Sequence, residues 1–299
     1  MQIIVLGSAA GGGFPQWNCL CPVCQLAWKG DARVKPRTQS SLAVSADGER
    51  WLLLNASPDL RQQIIATQPL HPRGASRQSP VKAVFVTNGD VDHLTGLLTL
   101  REQQSFAVYG SKTTLAEVTG ANIFGVLNRE LVSFNEVELE QQVDTGLGLR
   151  VTPFAVPGKV PLYLETASLA IGDESETTVG LEITDGSKTL FYVPGCAEVT
   201  PKVQERLRNA DLLFFDGTTF TDDEMVALGL SNKTAWRMGH VAMTGEKGSL
   251  VRLSDIGIRR KIFVHINNTN PVLIEDSSER AKATAAGWEV SFDGMEVRL

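Results

Sequence analysis

Apolar residues along the chain gather in short runs bounded by glycine, proline and polar residues, the pattern of strands buried in a sheet. Gln2 to Leu6 predicts the first strand, and Val84-Phe85-Val86, Ala107 to Tyr109, Leu149 to Val156, Asp211 to Phe215 and Ile262-Phe263-Val264 predict others. Asp-Gly pairs mark hairpins: Asp47-Gly48 between Ser41 to Ala46 and Arg50 to Leu54, Asp185-Gly186 between Val179 to Ile183 and Leu190 to Val193, and Asp293-Gly294 near the end. Hairpins among crossover strands predict mixed sheets. Helix starts show as Ser57-Pro58-Asp59, with Ser57 as N-cap, as Thr200-Pro201, as a capping box of Thr221 with Glu224, and as Asp276 with Glu279. Further helices are predicted over Thr113 to Val118, from near Thr244, and from Leu94 through Leu97, Leu98 and Leu100.

The strand Val84-Phe85-Val86 breaks at Thr87 into Asn88-Gly89-Asp90-Val91-Asp92-His93, and the helical pattern begins at once. Two carboxylates and an imidazole thus sit at a strand-to-helix turn on the carboxyl edge of a sheet, where open α/β sheets place their chemistry. The turn permits two readings. Its polar groups are metal ligands, or Asp90 shapes the turn while Asp92 caps the helix that His93 opens. Earlier in the chain, Cys19-Leu20-Cys21-Pro22-Val23-Cys24 has C-x-C-x-x-C spacing, able to give three thiolates to a tetrahedral zinc, the alternative being three free thiols. Cys196, after Pro194-Gly195, reads as a buried inert thiol. His71 lies in a proline- and arginine-rich loop and receives no role.

With 299 residues, 42% of them hydrophobic, the chain can bury a sizeable core, and one domain spanning residues 1–299 is expected. A net charge of -6 argues against nucleic acid or an anionic membrane as partner. The amino terminus lacks a basic region before a long apolar stretch, and no segment approaches a membrane span, so a cytoplasmic protein is expected.

Thr87 to Gly96 resembles the metal signature T-H-x-H-x-D-H-x-x-G of the metallo-β-lactamase superfamily. Asp92, His93 and Gly96 match, while Asn88 and Asp90 replace its first two histidines. The resemblance implies an α/β fold of the αββα sandwich type. His265, at the end of a strand, matches the last metal ligand, Cys196 stands where a metal-bridging aspartate would, and Pro157 to Pro161 lacks the histidine expected there. The glycine-rich loop Gly7-Ser8-Ala9-Ala10-Gly11-Gly12-Gly13 after the first strand, together with C-x-C-x-x-C, resembles the phosphodiesterase branch, where the cysteines hold a structural zinc with a histidine as fourth ligand. Asn268 occupies that place, so the fourth ligand is Asn268, water or another side chain. His240 corresponds to a histidine acting as general acid in related phosphodiesterases.

The whole chain, through C-P-V-C, T-N-G-D-V-D-H, V-P-G-C-A and H-I-N-N-T-N-P, resembles a family within that superfamily from the pathway that builds pyrroloquinoline quinone (PQQ) out of a glutamate and a tyrosine of a peptide. That implies a small peptide-derived PQQ precursor, or PQQ itself, as ligand, with other pathway proteins as partners and a homodimer left open. One metal on Asp92, His93 and His265, with Asp90 as a further candidate, suits ferrous iron and dioxygen. The expected activity is therefore hydroxylation of a tyrosine-derived intermediate. His240, Asp90 and Asp216 are the expected catalytic groups, and Thr218, Thr219 and Asn88 the substrate contacts. The alternatives are a carrier of PQQ or its precursor toward the periplasm without catalysis and, behind it, a metal-dependent hydrolase.

Overall fold

The structure is a computed structural model that describes residues 1–166 and 170–299. The first sheet holds β1 (Gln2–Gly7), β2 (Ser41–Ser45), β3 (Trp51–Leu54), β4 (Val81–Phe85), β5 (Phe106–Gly110) and β6 (Val132–Glu136). The second holds β7 (Val143–Asp144), β8 (Arg150–Gly158), β9 (Asp173–Thr184), β10 (Thr189–Val193), β11 (Leu212–Asp216), β12 (Lys261–Val264) and β13 (Trp288–Val290), and β14 (Glu296–Arg298) returns to the first. Strand orders are β14-β1-β2-β3-β4-β5-β6 and β13-β12-β11-β10-β9-β8-β7. In each sheet one half is antiparallel and the other parallel: β3 to β6 run parallel, as do β10 to β13. The mixed sheets follow from the hairpins β2–β3 and β9–β10, whose turns place Gly48 at φ 76° and Gly186 at φ 94°, where a glycine is favoured.

Strand alternation builds the layers. Ile3 and Val5 of β1 point between the sheets with Leu42, Phe85, Leu181, Tyr192, Phe214 and Val264. Ile4 and Leu6 point outward, to the helical layer that contributes Leu97 and Leu115. Phe191, Leu213, Phe215 and Phe263 cover the outer face of the second sheet with Leu250 and Trp288. The result is the αββα sandwich, and no helix among the described residues is long and apolar enough to cross a membrane.

Several local expectations are corrected. Asp293-Gly294 is not a hairpin, because β13 and β14 belong to different sheets; the Asp293 carboxylate instead accepts from Ser8 N, Thr38 N and both hydroxyls, at 2.6 to 3.0 Å, and ties the base of the glycine loop. The helix after the central turn is only Val91–Leu94, followed by a 3-10 turn over Thr95–Leu100. Gly96 explains the break: it packs on the backbone of Ser57 and Ala56, where a Cβ would collide. Ser57 is not an N-cap, since the helix Leu60–Ala66 starts after Asp59 and Ser57 Oγ turns to Gln63. The Thr221–Glu224 pair does not cap the helix, which starts only at Glu224 after Asp223, and the Glu224 carboxylate turns inward to Phe220 N (2.7 Å) and Thr269 Oγ1 (2.5 Å). Ser277 rather than Asp276 caps the last helix, and the helix expected near Thr244 begins at Ser249.

Candidate metal centre

The turn after β4 is held from outside itself. Asn55, at φ 63°, accepts Thr87 N (2.9 Å) and Thr87 Oγ1 (3.1 Å) on its Oδ1, and Ala56 N donates to His93 O at 2.7 Å. From the second sheet Val179 N donates to Thr87 O at 3.0 Å. Tyr163 Oη donates to Gly89 O at 2.9 Å and also contacts Glu117. Such clamping fixes the geometry of the candidate ligands on the turn.

Asp92, His93 and His265 converge, with one ligand atom of each lying within 4.8 Å of the others. His265 Nε2 is 3.2 Å and His93 Nε2 3.9 Å from Asp92 Oδ2. Supporting hydrogen bonds define both imidazole tautomers. Asn88 Nδ2 donates to Asp90 Oδ2 (2.8 Å) and Asn88 Oδ1 accepts Asp90 N (3.1 Å), which orients the amide so that Oδ1 accepts from His93 Nδ1 at 2.6 Å. The His93 Nε2 lone pair is thereby free, and that atom is buried with no hydrogen-bond partner. A buried nitrogen without a partner, aimed at a carboxylate and a second imidazole, fits a metal ion.

His265 stands at φ 57° just past β12, a left-handed position that lets the chain turn back and presents the ring inward. Its Nδ1 meets Thr218 Oγ1 at 3.0 Å, and that hydroxyl donates to Asp216 Oδ1 at 2.7 Å, leaving its lone pairs to accept from the ring. Asp216 Oδ2 in turn accepts His240 Nδ1 at 2.7 Å and Cys196 N at 3.0 Å. His240 follows Gly239, whose φ of 91° ends the helix Ala235–Met238, and stacks on His265 with centroids 5.0 Å apart. Asp216, His240 and His265 make a second cluster of potential ligands. A cavity of about 510 Å³ opens beside His240, bordered by Trp236, Asp222 and Lys247.

The electrostatics suit cation binding. Burial pushes the His93 imidazole down to about 4, so it is neutral and able to ligate. Burial disfavours the charged form of Asp92, but His93 and His265 overcome it and hold that carboxyl well below its usual range. His265 is also opposed by burial, and its hydrogen bond to Asp92 outweighs this and raises it. Asp90 is raised, first by burial and then by the Asp92 charge. Asp90 joins neither cluster of potential ligands and is occupied with Asn88. Asp216, Thr218 and Thr219 are buried beneath the histidines rather than lining the opening, and Asn88 is buried behind His93. Cys196 is fully buried, and burial pushes its thiol far up. His71 lies apart, bonded to Ile65 O.

The cysteines form a second centre on the same loop system. Cys19, Cys21 and Cys24 are free, buried and mutually within ligand range. The helix Pro22–Trp28 begins among them, with Cys24 N donating to Cys21 Sγ at 3.4 Å. Asn268 Nδ2 lies 3.2, 3.9 and 3.3 Å from the sulfurs of Cys19, Cys21 and Cys24. The hydrogen bond from Cys21 lowers Cys24 to about 6, while Cys21 is strongly raised, so one proton is shared between them. Three sulfurs and an amide around one buried point fit a closed, tetrahedral zinc.

Sheet order, ligand edge and histidine pattern define the metallo-β-lactamase class, and residues 50–266 match the beta-lactamase superfamily domain. A diphosphatase of the PhnP family, 19% identical, shares the fold with a TM-score of 0.69 over 99% of this chain and 96% of that one. More narrowly, the chain belongs to the coenzyme PQQ synthesis protein B family. It is 58% identical to the coenzyme PQQ synthesis protein B of Methylorubrum extorquens (strain PA1) and 50% identical to that of Xanthomonas oryzae pv. oryzae, each over 100% of both chains. The crystal structure of Zn(2+)-bound PqqB from Methylobacterium extorquens, 57% identical, matches with a TM-score of 0.98 over 100% of both chains.

Three supporting residues escaped sequence reasoning. Along the chain Asn55 reads as a turn residue at a position where the superfamily often has an aspartate, and Thr218 and Asn88 read as substrate contacts. The local signals are Asn55 in that aspartate position and Asn88 in a histidine position of the signature.

Proposed function

We propose that this member of the PQQ biosynthesis family is an iron- and oxygen-dependent hydroxylase of a tyrosine-derived intermediate, working in the cytoplasm. The observation that carries the proposal is the buried, partnerless His93 Nε2 facing Asp92 and His265. Two imidazoles and one carboxylate are the donor set that leaves positions open for dioxygen and substrate on ferrous iron. Iron bound there supplies oxygen activation.

The chain's own residues do the remaining work. Asn88 and Thr218 hold the two imidazoles in the tautomers that point Nε2 at the metal. Asp216 anchors His240 through Nδ1, so its Nε2 is the atom that takes or returns the phenolic proton of the substrate. The cavity beside His240 receives the body of the substrate. Separately, Cys19, Cys21 and Cys24 hold a structural zinc with Asn268 as fourth ligand. The Asn268 amide turned by half a rotation presents Oδ1 where Nδ2 now stands among the sulfurs. Because Ala9 pairs with Ile266 and Ala10 N donates to Ile266 O at 2.9 Å, this clip stiffens the strand end that carries His265.

The test is anaerobic loading with ferrous iron, addition of a glutamyl-tyrosine peptide and a two-electron reductant such as ascorbate, admission of dioxygen, and measurement of oxygen uptake with the product mass. The expected result is one oxygen atom gained by the peptide per dioxygen consumed, the second leaving as water at the expense of two electrons from the reductant. Tight stoichiometric binding without oxygen uptake would refute the hydroxylase and favour the carrier.

A further inference from the structure

A group of cations with a single acidic partner packs beside the segment that carries His240. Lys159 Nζ is 3.0 Å from Glu165 Oε1, while Arg237 Nη2 and Lys233 Nζ are 3.1 and 3.8 Å from Glu165 Oε2. Three positive charges thus face one carboxylate, and no other carboxylate pairs with them among the described residues. Arg237 Nη1 is buried and has no hydrogen-bond partner, so the guanidinium is only half used. Such an arrangement is more cationic than a structural ion pair requires.

Its position links it to the chemistry. Lys159 follows Gly158 at the end of β8, and its Cγ lies 3.0 Å from where a Cβ on Gly239 would be, next to His240. Its charge also reaches Asp90 in the metal turn. Arg237 is in the last turn of the short helix that ends at Gly239. Glu165 belongs to the same connection between β8 and β9 as Lys159, just past the 3-10 turn Leu162–Leu164, so its side chain can turn away without breaking a strand pair. The nearby acids are engaged elsewhere, Asp90 with Asn88 and Glu117 with Tyr163.

Resting on the hydroxylase reading for the identity of the substrate, we propose that Lys159, Lys233 and Arg237 form a binding site for a carboxylate of the tyrosine-derived amino-acid substrate, and that Glu165 occupies it as an internal stand-in which the substrate displaces. The planar guanidinium offers the paired N–H donors that a carboxylate takes bidentately, and Lys159 supplies a charge on its far side. Filling this site places an amino-acid carboxylate beside the metal turn, with the phenol directed toward His240.

The test compares two probes that differ by one carboxylate, N-acetyl-tyrosine and N-acetyl-tyrosinamide, by calorimetry on the metal-loaded protein. Glu165→Gln removes the competing charge, so it should tighten the acid by about tenfold and leave the amide unchanged. Arg237→Gln should weaken the acid by about tenfold, and Lys159→Met provides the same reading should the arginine variant not fold. A Glu165→Gln protein that binds the acid no better, or that loses its fold, shows Glu165 to be a loop anchor and overturns the proposal. Binding is read without turnover: hydroxylation accompanied by an unchanged acid-to-amide preference refutes the carboxylate site alone, and the predicted binding without any hydroxylation refutes the hydroxylase alone.

Discussion

Replacing Thr218 with valine keeps the side-chain shape and removes one hydroxyl, and that hydroxyl is the joint between Asp216 and His265. In the native chain Thr218 Oγ1 donates to Asp216 Oδ1 at 2.7 Å and meets His265 Nδ1 at 3.0 Å, within a residue only 4% exposed. The variant strands a buried carboxylate lone pair and a buried imidazole N–H. Each unsatisfied buried group costs about 1–3 kcal/mol, the backbone donation from Thr218 N to Asp216 being retained. The expected loss of stability is therefore about 2–6 kcal/mol for the two groups together. The imidazole also loses its tautomer lock, so metal affinity should fall about 10- to 100-fold. The matched control is Thr219→Val: Thr219 is fully buried and its hydroxyl has no partner, so this change should be neutral or stabilising. Denaturant melts and chelator competition on both variants give the two numbers. Equal behaviour of the two valine variants would refute the role assigned to Thr218.

Other expectations follow from the same geometry. Cys21→Ser should lower zinc content and melting temperature together, since metal-binding energy at a closed site is folding energy; unchanged values for both would show free thiols. His93→Ala should abolish metal at the Asp92 centre while the chain stays folded, whereas His240→Gln should keep the metal and slow hydroxylation by about 10²–10⁴-fold, as read by metal analysis and turnover. Burial raises Glu224 from its ordinary 4.5 to about 7, so the folded state disfavours its charge and stability falls as pH rises between those values. Glu224→Gln should remove that loss, about 3 kcal/mol at pH 8, and flatten stability against pH; an unchanged pH profile would contradict the assignment.

What was legible in the sequence was whatever depends on neighbours along the chain. The apolar runs, the two true hairpins and the Asp92-His93 turn appear where spacing and turn chemistry place them. Asp293-Gly294 misled because a turn dipeptide carries no information about which sheet receives the next strand. Gly96 breaks its helix through contact with Ala56, and nothing within the helical pattern reports that contact. Likewise Thr218 works through His240 and His265, which lie 22 and 47 residues further along the chain, so its hydroxyl looked like a substrate contact. The cation group around Glu165 draws on the β8–β9 connection and on the distant helix Ala235–Met238 with the residues before it, and has no local signature at all. The candidate ligands that converge could be picked out because metal chemistry restricts ligands to few residue types, whereas the groups that orient them can be almost any polar residue.

The central claim is a single iron held by Asp92, His93 and His265. Crystals grown anaerobically with ferrous iron and measured across the iron absorption edge test it most directly. The account predicts one anomalous peak, within bonding distance of Asp92 and of Nε2 of both His93 and His265, with a separate zinc peak at the cysteine clip. Two iron peaks bridged within the centre, or a lone peak on Asp216 and His240 away from His93, would contradict it.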